Sequence, residues 1–295
     1  MQTRGLIVLL MSKAAGHPLS SIDYMDAETS AAISQRQRSL AEMTEMIYSA
    51  HLIHRGILNL QPSLLQHSKT AQDLHFGNKM SVLSGDFLLA SVWKGLGELR
   101  NTQVVELMST AIGDFMEGQF VIETESGNPE QHASTKYWED RNFMRAGSLQ
   151  ANSCQSALAL ANHLDHYQAK GYEFGKNFAL AWQAFNEMQP FLTSYMQPTD
   201  TVATFDLMSA PILLHFEHTG LTMSAFTIDG KVQEDGKPMI DYKALHHVVS
   251  HGIGMEKTKD LIMHYSNLAL DALDTFEPSE SVNALTNIVY AVREV

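Results

Sequence analysis

The sequence predicts an all-α protein with a large buried core. The chain has 295 residues, of which 44% are hydrophobic, and this is enough for one large domain over residues 1–295. Most of its ordered stretches repeat apolar residues at spacings of three and four, the period of a helix that buries one face. Turn signals of a loop or short hairpin, Asp229-Gly230 and Asp235-Gly236, fall within residues 225–241. We therefore expect a helical bundle.

Composition argues against several classes of partner and site. The formal net charge of −13 disfavours nucleic acid and anionic membranes, which reward clustered Lys and Arg. The single cysteine, Cys154, permits no internal disulfide and lies in an apolar run, so we expect a buried, inert thiol. No apolar run approaches the roughly 20 residues that cross a bilayer. The N-terminus shows no signal or transit peptide pattern.

The first half of the chain predicts four helices. Residues 5–15 form an apolar helix that Gly16 ends. The next helix covers residues 45–59 and is the clearest in the chain. Its apolar positions are Met46, Ile47, Ala50, Ile53, Ile57 and Leu58. Helices over residues 80–99 and 101–121 follow, and both carry more Leu, Val, Met and Phe than one buried face needs.

The second half continues in the same way. A long helix is predicted over residues 137–164. Pro190 should end or kink any helix that reaches it, because proline removes an amide donor. Two helices close the chain, separated by Glu277 and Pro278, and Ser279 is expected to cap the last one.

Two of these stretches carry a family resemblance. EMIYSAHLIHRGILN and FGNKMSVLSGDFLLA resemble the paired helices of the trans-prenyltransferases, or polyprenyl diphosphate synthases. This resemblance implies an isoprenoid synthase-like bundle around a central cavity, with the family's first helix missing. The family's Asp-Asp-x-x-Asp, which holds magnesium, is replaced here by Arg55, Gly56 and Asn59.

The second metal motif is degenerate as well. Residues 171–191 resemble the helix with Phe-Gln-x-x-Asp-Asp-x-x-Asp, but its acids become Asn186, Glu187 and Pro190. Ionising an allylic diphosphate requires a neutralised leaving group, which magnesium bound to carboxylates provides. A lone glutamate is a poor magnesium site. We therefore expect no metal in this chain and no independent catalysis.

A few substrate contacts of the family have counterparts. The resemblance implies Arg4, Arg145 and Gln183 as remaining candidates for substrate binding, with Arg145 in the place of the lysine of the family's Lys-Thr-x-x-Leu helix. Residues 206–217 resemble a further helix of the family, in which Pro211 is kept and Leu207 replaces a lysine. Asp86, in the family-like LSGDFLLA, is interpreted as a structural carboxylate that satisfies amides at a helix end.

Within the family, the chain resembles the non-catalytic subunits of heteromeric decaprenyl or solanesyl diphosphate synthases. This resemblance implies a catalytic subunit 1 as partner in a heterotetramer that makes the ubiquinone side chain in the mitochondrial matrix. Magnesium is then expected in the partner. Phe87 and Leu107 are the candidate interface residues, because their helices have surplus apolar surface.

Two alternatives remain open at this stage. One is an active prenyltransferase with a rearranged metal site built from Glu187, Asp86 and Asp114. The other is a helical protein that binds a prenyl chain or a quinone.

The histidine pairs at helical spacing lack a zinc-binding pattern, so we interpret them as surface or core residues. These pairs are His51 and His54, His163 and His166, and His247 and His251.

Overall fold

A computed structural model describes residues 3–16, 33–58, 69–124, 133–192, 205–232 and 238–294. The all-α prediction is confirmed. The helices are α1 (Arg4–Ala15), α2 (Gln35–Arg55), α3 (Lys69–Leu99), α4 (Thr102–Thr124), α5 (Thr135–Asn142), α6 (Ser148–Leu160), α7 (Asp165–Met188), α8 (Ala210–Thr219), α9 (Tyr242–Ser250), α10 (Ile253–Leu273) and α11 (Glu280–Arg293). Within the described residues, no helix is both long enough and apolar enough to span a bilayer.

A short hairpin is confirmed, although Asp229-Gly230 falls within its first strand rather than at a turn and Asp235-Gly236 lies outside the described residues. Strands β1 (Thr227–Val232) and β2 (Pro238–Ile240) pair antiparallel, with Thr227 opposite Ile240. The chain divides into two compact units. Unit 1 contains Met1–Gly113, Asn152–Tyr172 and Phe276–Leu285, and unit 2 contains Asp114–Ala151, Glu173–Thr275 and Thr286–Val295. That residues 1–295 form a single domain stays a prediction.

Unit 1 is built on α2, which packs against both α1 and α3. The start of α2 is fixed by a capping box, in which Ser34 and Gln37 exchange side-chain and backbone hydrogen bonds. Helix α1 approaches closely at Gly5, since a Cβ there would lie 2.9 Å from the Ala41 carbonyl oxygen. The core side chains include Ile7, Val8 and Met11 of α1, Leu40, Met43 and Ile47 of α2, and Val92 and Leu96 of α3.

Unit 2 is built around α8, whose residues 210–216 are all buried. Pro211 stands in its first turn, where a missing amide costs no helical hydrogen bond, and Gly220 ends it with a φ of 68°. Helices α5, α9 and α10 pack on α8. One apolar cluster of this unit consists of Phe191, Phe205, Ile212, Phe216, Met223, Phe226, Leu245 and Val249.

Two helix predictions are refined by the structure. The helix expected over residues 137–164 is divided by a π-helical turn, Phe143–Gly147, between α5 and α6. The expectation for Pro190 is confirmed, because α7 ends at Met188 and continues as a 3₁₀ turn over Gln189–Phe191. The capped start at Ser279 is confirmed as well, since its hydroxyl accepts from the Val282 amide at 3.2 Å.

Helix α7 approaches its neighbour in unit 2 so closely at Gly175 that alanine should not fit. A Cβ at this position would lie 2.5 Å from the Gln150 carbonyl oxygen and 2.8 Å from the Ala151 Cα, both backbone atoms that cannot rotate away. We expect Gly175→Ala to lower the free energy of unfolding by about 2 kcal/mol, measured by urea denaturation.

The control is Gly113→Ala in α4, where a new Cβ meets nothing within 4 Å. This change should raise the free energy of unfolding, by up to about 1 kcal/mol, because alanine has the higher helix propensity. Equal effects of the two substitutions would contradict the packing argument.

Candidate functional site

The described part of the first degenerate metal motif, Arg55 and Gly56, lies at the end of a helix. Helix α2 ends at Arg55, and the Gly56 amide turns back to the carbonyls of Leu52 and Ile53 at 3.2 and 3.1 Å. Asn78 of α3 then holds Leu58 by two bonds: Leu58 N–H donates to Asn78 Oδ1 at 2.9 Å, and Asn78 Nδ2 donates to the Leu58 carbonyl at 2.6 Å. The prediction that this helix continues to residue 59 is therefore wrong. Its expected buried positions Ile57 and Leu58 are exposed.

This arrangement does not fit magnesium. Arg55 and Gly56 are exposed and bring no carboxylate, while Asn59 lies outside the described residues. Ligands at positions i and i+4 share a face only on a continuing helix, and α2 ends before that spacing is completed. Both the residue types and the backbone geometry at residues 55–58 differ from those of a metal-binding helix.

Asp86 is not a helix-end carboxylate, so that interpretation is wrong. It lies in the middle of α3, with its side chain largely exposed, and its Oδ1 lies 3.5 Å from His54 Nε2. The neighbouring Gly85 makes this approach possible, since a Cβ there would lie 2.1 Å from the same nitrogen. The family-like sequence LSGDFLLA thus includes a contact point between α2 and α3.

The second degenerate motif centres on Glu187, which is only 8% exposed. Its Oε2 accepts hydrogen bonds from Trp138 Nε1 at 2.7 Å and from the Ala210 amide at 2.8 Å. Its Oε1 accepts from Gln183 Nε2 at 2.8 Å. The other two replaced positions contribute no carboxylate, because Asn186 is an exposed amide and Pro190 lies in the 3₁₀ turn.

The electrostatics of Glu187 are those of a structural carboxyl group. Burial raises its pKa, against the lowering effect of the three hydrogen-bond donors, and the charge of Asp206 adds to the increase. Both oxygens already accept from protein groups, so a cation would have to displace these bonds. The residues present at this position do not fit magnesium.

A second cluster of polar side chains lies beside Glu187, where Asp206 contacts two arginines. Its Oδ2 lies 3.0 Å from Arg141 Nη2 and 3.6 Å from Arg145 Nη1. Its Oδ1 accepts from the Met208 amide at 2.9 Å, and Arg141 Nη1 donates to the Met208 carbonyl at 3.3 Å. Burial alone would raise the pKa of Asp206, but the two arginines and the Met208 amide hold it below its ordinary value.

The three predicted substrate contacts all have protein partners in the structure. Gln183 donates to Glu187, and Arg145 pairs with Asp206. The Arg4 guanidinium lies 3.5 Å from the centre of the Tyr48 ring, and burial lowers its pKa against the opposing effects of Tyr48 and Glu45. That any of these residues binds substrate stays a prediction.

The rearranged metal site finds no support in the described residues. Asp114 accepts a hydrogen bond from the Ser148 hydroxyl, while Asp86 and Glu187 have the partners given above. Within the described parts of the chain, no group of three His, Cys, Asp or Glu side chains could hold a metal ion.

The interpretation of Cys154 as a buried thiol is confirmed.

Sequence reasoning missed Trp138, Arg141 and Asp206. None of them belongs to a motif, and each meets its partner over 49 residues or more along the chain. The available signal was weak: a tryptophan and an arginine three residues apart on a polar helix, and an aspartate just before the helix that carries Pro211.

Removing the Glu187 carboxyl should destabilise unit 2. Glu187→Ala leaves the Trp138 and Ala210 N–H groups buried without an acceptor, and we expect a loss of about 3 kcal/mol in the free energy of unfolding. Glu187→Gln is the matched control. Its oxygen can accept from both N–H groups, and the Gln183 amide can turn over to accept from the new NH₂, so the loss should stay within about 1 kcal/mol. Denaturant titration compares the two, and equal losses would contradict the role of the hydrogen bonds.

The pH dependence of stability tests the same carboxyl. Because its folded-state pKa is raised, the folded chain holds this proton at pH values where the unfolded chain has lost it. The corresponding stability is present at low pH and is lost as the pH rises through the folded-state pKa. Glu187→Gln should remove this part of the decline.

Known proteins match this chain over almost its whole length. A family model described as Polyprenyl synthetase matches residues 1–196. The chain is 40% identical over 296 residues to all trans-polyprenyl-diphosphate synthase PDSS2 from Homo sapiens, covering 99% of this chain and 72% of the relative. It is 30% identical over 303 residues to the mitochondrial solanesyl-diphosphate synthase 1 of Oryza sativa subsp. japonica, covering 96% of this chain and 65% of that relative.

Solved structures agree on the fold. The apo form of an Arabidopsis medium/long-chain length prenyl pyrophosphate synthase superposes with a TM-score of 0.70 at 26% identity, over 98% of this chain and 88% of that one. A decaprenyl diphosphate synthase from Rhodobacter capsulatus gives a TM-score of 0.75 at 16% identity, over 99% and 85% of the two chains, and supports the fold alone. On these matches, and with its helices in the order that the family resemblance predicted, the chain belongs to the polyprenyl synthetase family.

Proposed function

We propose that this chain is the non-catalytic subunit of a heteromeric all-trans-polyprenyl diphosphate synthase. The observation that carries the proposal is the state of the second metal motif, where the one remaining carboxylate, Glu187, is buried and bonded to three protein donors. The described part of the first motif adds no ligand, because neither Arg55 nor Gly56 carries a carboxylate. Arg55 is the last residue of α2 and Gly56 follows it. A chain of this family that has lost both sets of ligands keeps a fold without the means to ionise an allylic diphosphate.

The relatives support the choice of complex. The human relative is named as an all-trans-polyprenyl-diphosphate synthase. Catalytic members of the family use magnesium, so the partner in this proposal is a catalytic subunit that supplies the metal. The heterotetrameric state, the decaprenyl product for ubiquinone and the mitochondrial matrix belong to the same proposal. Mitochondrial relatives, among them a probable hexaprenyl pyrophosphate synthase of Yarrowia lipolytica, support the location in mitochondria.

The partner surface in this proposal lies on α3. Phe76, Met80, Leu83 and Phe87 follow one another at spacings of four, three and four, so they share one helix face. We call this face the α3 stripe. All four side chains are exposed, and Phe87 is 71% exposed. Obligate interfaces are large and apolar, and the α3 stripe supplies such a surface in unit 1.

The lone chain should not condense isopentenyl and allylic diphosphates in magnesium. We expect long-chain product only when it is co-expressed with a catalytic homologue, measured by incorporation of labelled isopentenyl diphosphate by each subunit and by the pair. Restoring aspartates at positions 55, 56 and 59 should not rescue the lone chain, since Pro190 and Leu207 still alter the second half of the site. Product from the lone chain at the rate of the pair would refute the proposal.

A charge on the α3 stripe should break the complex. We expect Phe87→Glu to abolish co-purification with the catalytic homologue and to lower the pair's activity, because an unpaired charge in a dry interface costs on the order of 2–5 kcal/mol. Leu107→Glu is the companion variant. Leu107 is already half-buried in the isolated chain, so this change also tests folding and is the less specific probe.

The control is Leu164→Glu, which places the same charge on an exposed leucine outside the α3 stripe. It should leave co-purification and activity unchanged. If Phe87→Glu keeps its circular dichroism spectrum and still co-purifies in full, the interface lies elsewhere.

A further inference from the structure

The pairing of Arg141, Arg145 and Asp206 has the layout of an occupied anion site. Arg141 is 4% exposed and Arg145 is 13% exposed, while the Asp206 side chain is 40% exposed. The two cations therefore lie deep in unit 2, and the carboxylate reaches them from the side of the solvent. An anion that entered from solution would take the same direction.

The two guanidinium groups converge on a single oxygen. Asp206 Oδ2 lies 3.0 Å from Arg141 Nη2 and 3.6 Å from Arg145 Nη1. Guanidinium groups bind phosphate oxygens as well as carboxylate oxygens, since both anions present two or more acceptor oxygens to the N–H groups of the guanidinium. A phosphate or diphosphate oxygen would make the same contacts if it stood where Oδ2 stands.

Asp206 has two advantages over an anion in solution. Its other oxygen, Oδ1, accepts from the Met208 amide at 2.9 Å, which fixes the carboxylate toward the arginines. It is also tethered to the chain, so the contact is intramolecular and has a high effective concentration. Arg141 Nη1 donates to the Met208 carbonyl at 3.3 Å, so the backbone of Met208 positions both Asp206 and Arg141.

We propose that Asp206 is a built-in anion that occupies the Arg141–Arg145 pair and so excludes phosphate and diphosphate groups. Asp206 is then a residue that determines what this chain does not bind. The inference concerns ligand binding by the isolated chain, and it holds or fails whether or not the chain pairs with a catalytic subunit.

The test is pyrophosphate binding by the purified full chain, measured by isothermal titration calorimetry. Wild type should bind pyrophosphate only weakly, with a Kd in the millimolar range or above. Asp206→Asn keeps the shape and removes the charge, and it should bind pyrophosphate at least about tenfold more tightly than wild type. Asp206→Glu keeps the charge and should show no gain. The double variant Asp206→Asn with Arg145→Gln should lose the gain, which assigns the binding to this pair.

A matched control separates this effect from the general loss of a negative charge. Glu139 forms a comparable ion pair in the same unit, with its Oε1 2.9 Å from Lys176 Nζ, and Glu139→Gln should leave pyrophosphate binding at the wild-type level. Tight binding by wild type would overturn the proposal without any variant. A folded Asp206→Asn chain, judged by circular dichroism, that shows no gain over wild type would overturn it too.

Discussion

The interior of unit 2 depends on the buried carboxyl of Glu187. A carboxyl group out of water costs several kcal/mol unless its oxygens are bonded, and here three donors from three helices meet that requirement: Trp138 of α5, Gln183 of α7 and the first amide of α8. The Ala210 amide is one of the groups at a helix start that have no partner within the helix. The same carboxyl therefore satisfies the start of α8, whose residues 210–216 are all buried, and joins two further helices to it.

The carboxylates of Glu187 and Asp206 serve the fold in this way. Magnesium needs carboxylate oxygens that are free to turn toward it, whereas Glu187 and Asp206 turn toward protein N–H groups and arginines. The presence of acids alone does not indicate metal chemistry, since a carboxylate serves either purpose. What decides between the two is the set of donors around it, and in this chain tryptophan, glutamine and arginine side chains provide them.

Much of the fold could be predicted from local sequence, because apolar spacing and helix-ending residues act over a few positions. Pro190 is an example, since its missing amide ends α7 wherever the rest of the chain lies. The end of α2 could not be predicted in this way. His54, Arg55 and Gly56 are residue types found at a helix C-terminus, but Ile57 and Leu58 continue the apolar spacing beyond them. The bonds that hold Leu58 outside the helix come from Asn78, 20 residues away. The partners of Glu187 and Asp206 were missed for the same reason, whereas the replaced positions themselves were visible as departures from a family pattern.

The π-helical turn at Phe143–Gly147 sets the rotational phase between α5 and α6. Such a turn holds one residue more than an α-helical turn, and each residue of an α-helix advances the side chains by about 100°. With the turn in place, Arg141 before it faces Asp206 while Ser148 after it faces Asp114. Loss of a single residue here would leave a continuous helix, but either Arg141 would turn away from Asp206 or Ser148 would turn away from Asp114. The segment is thus a point where length matters more than composition, and substitutions within it should be tolerated far better than deletions.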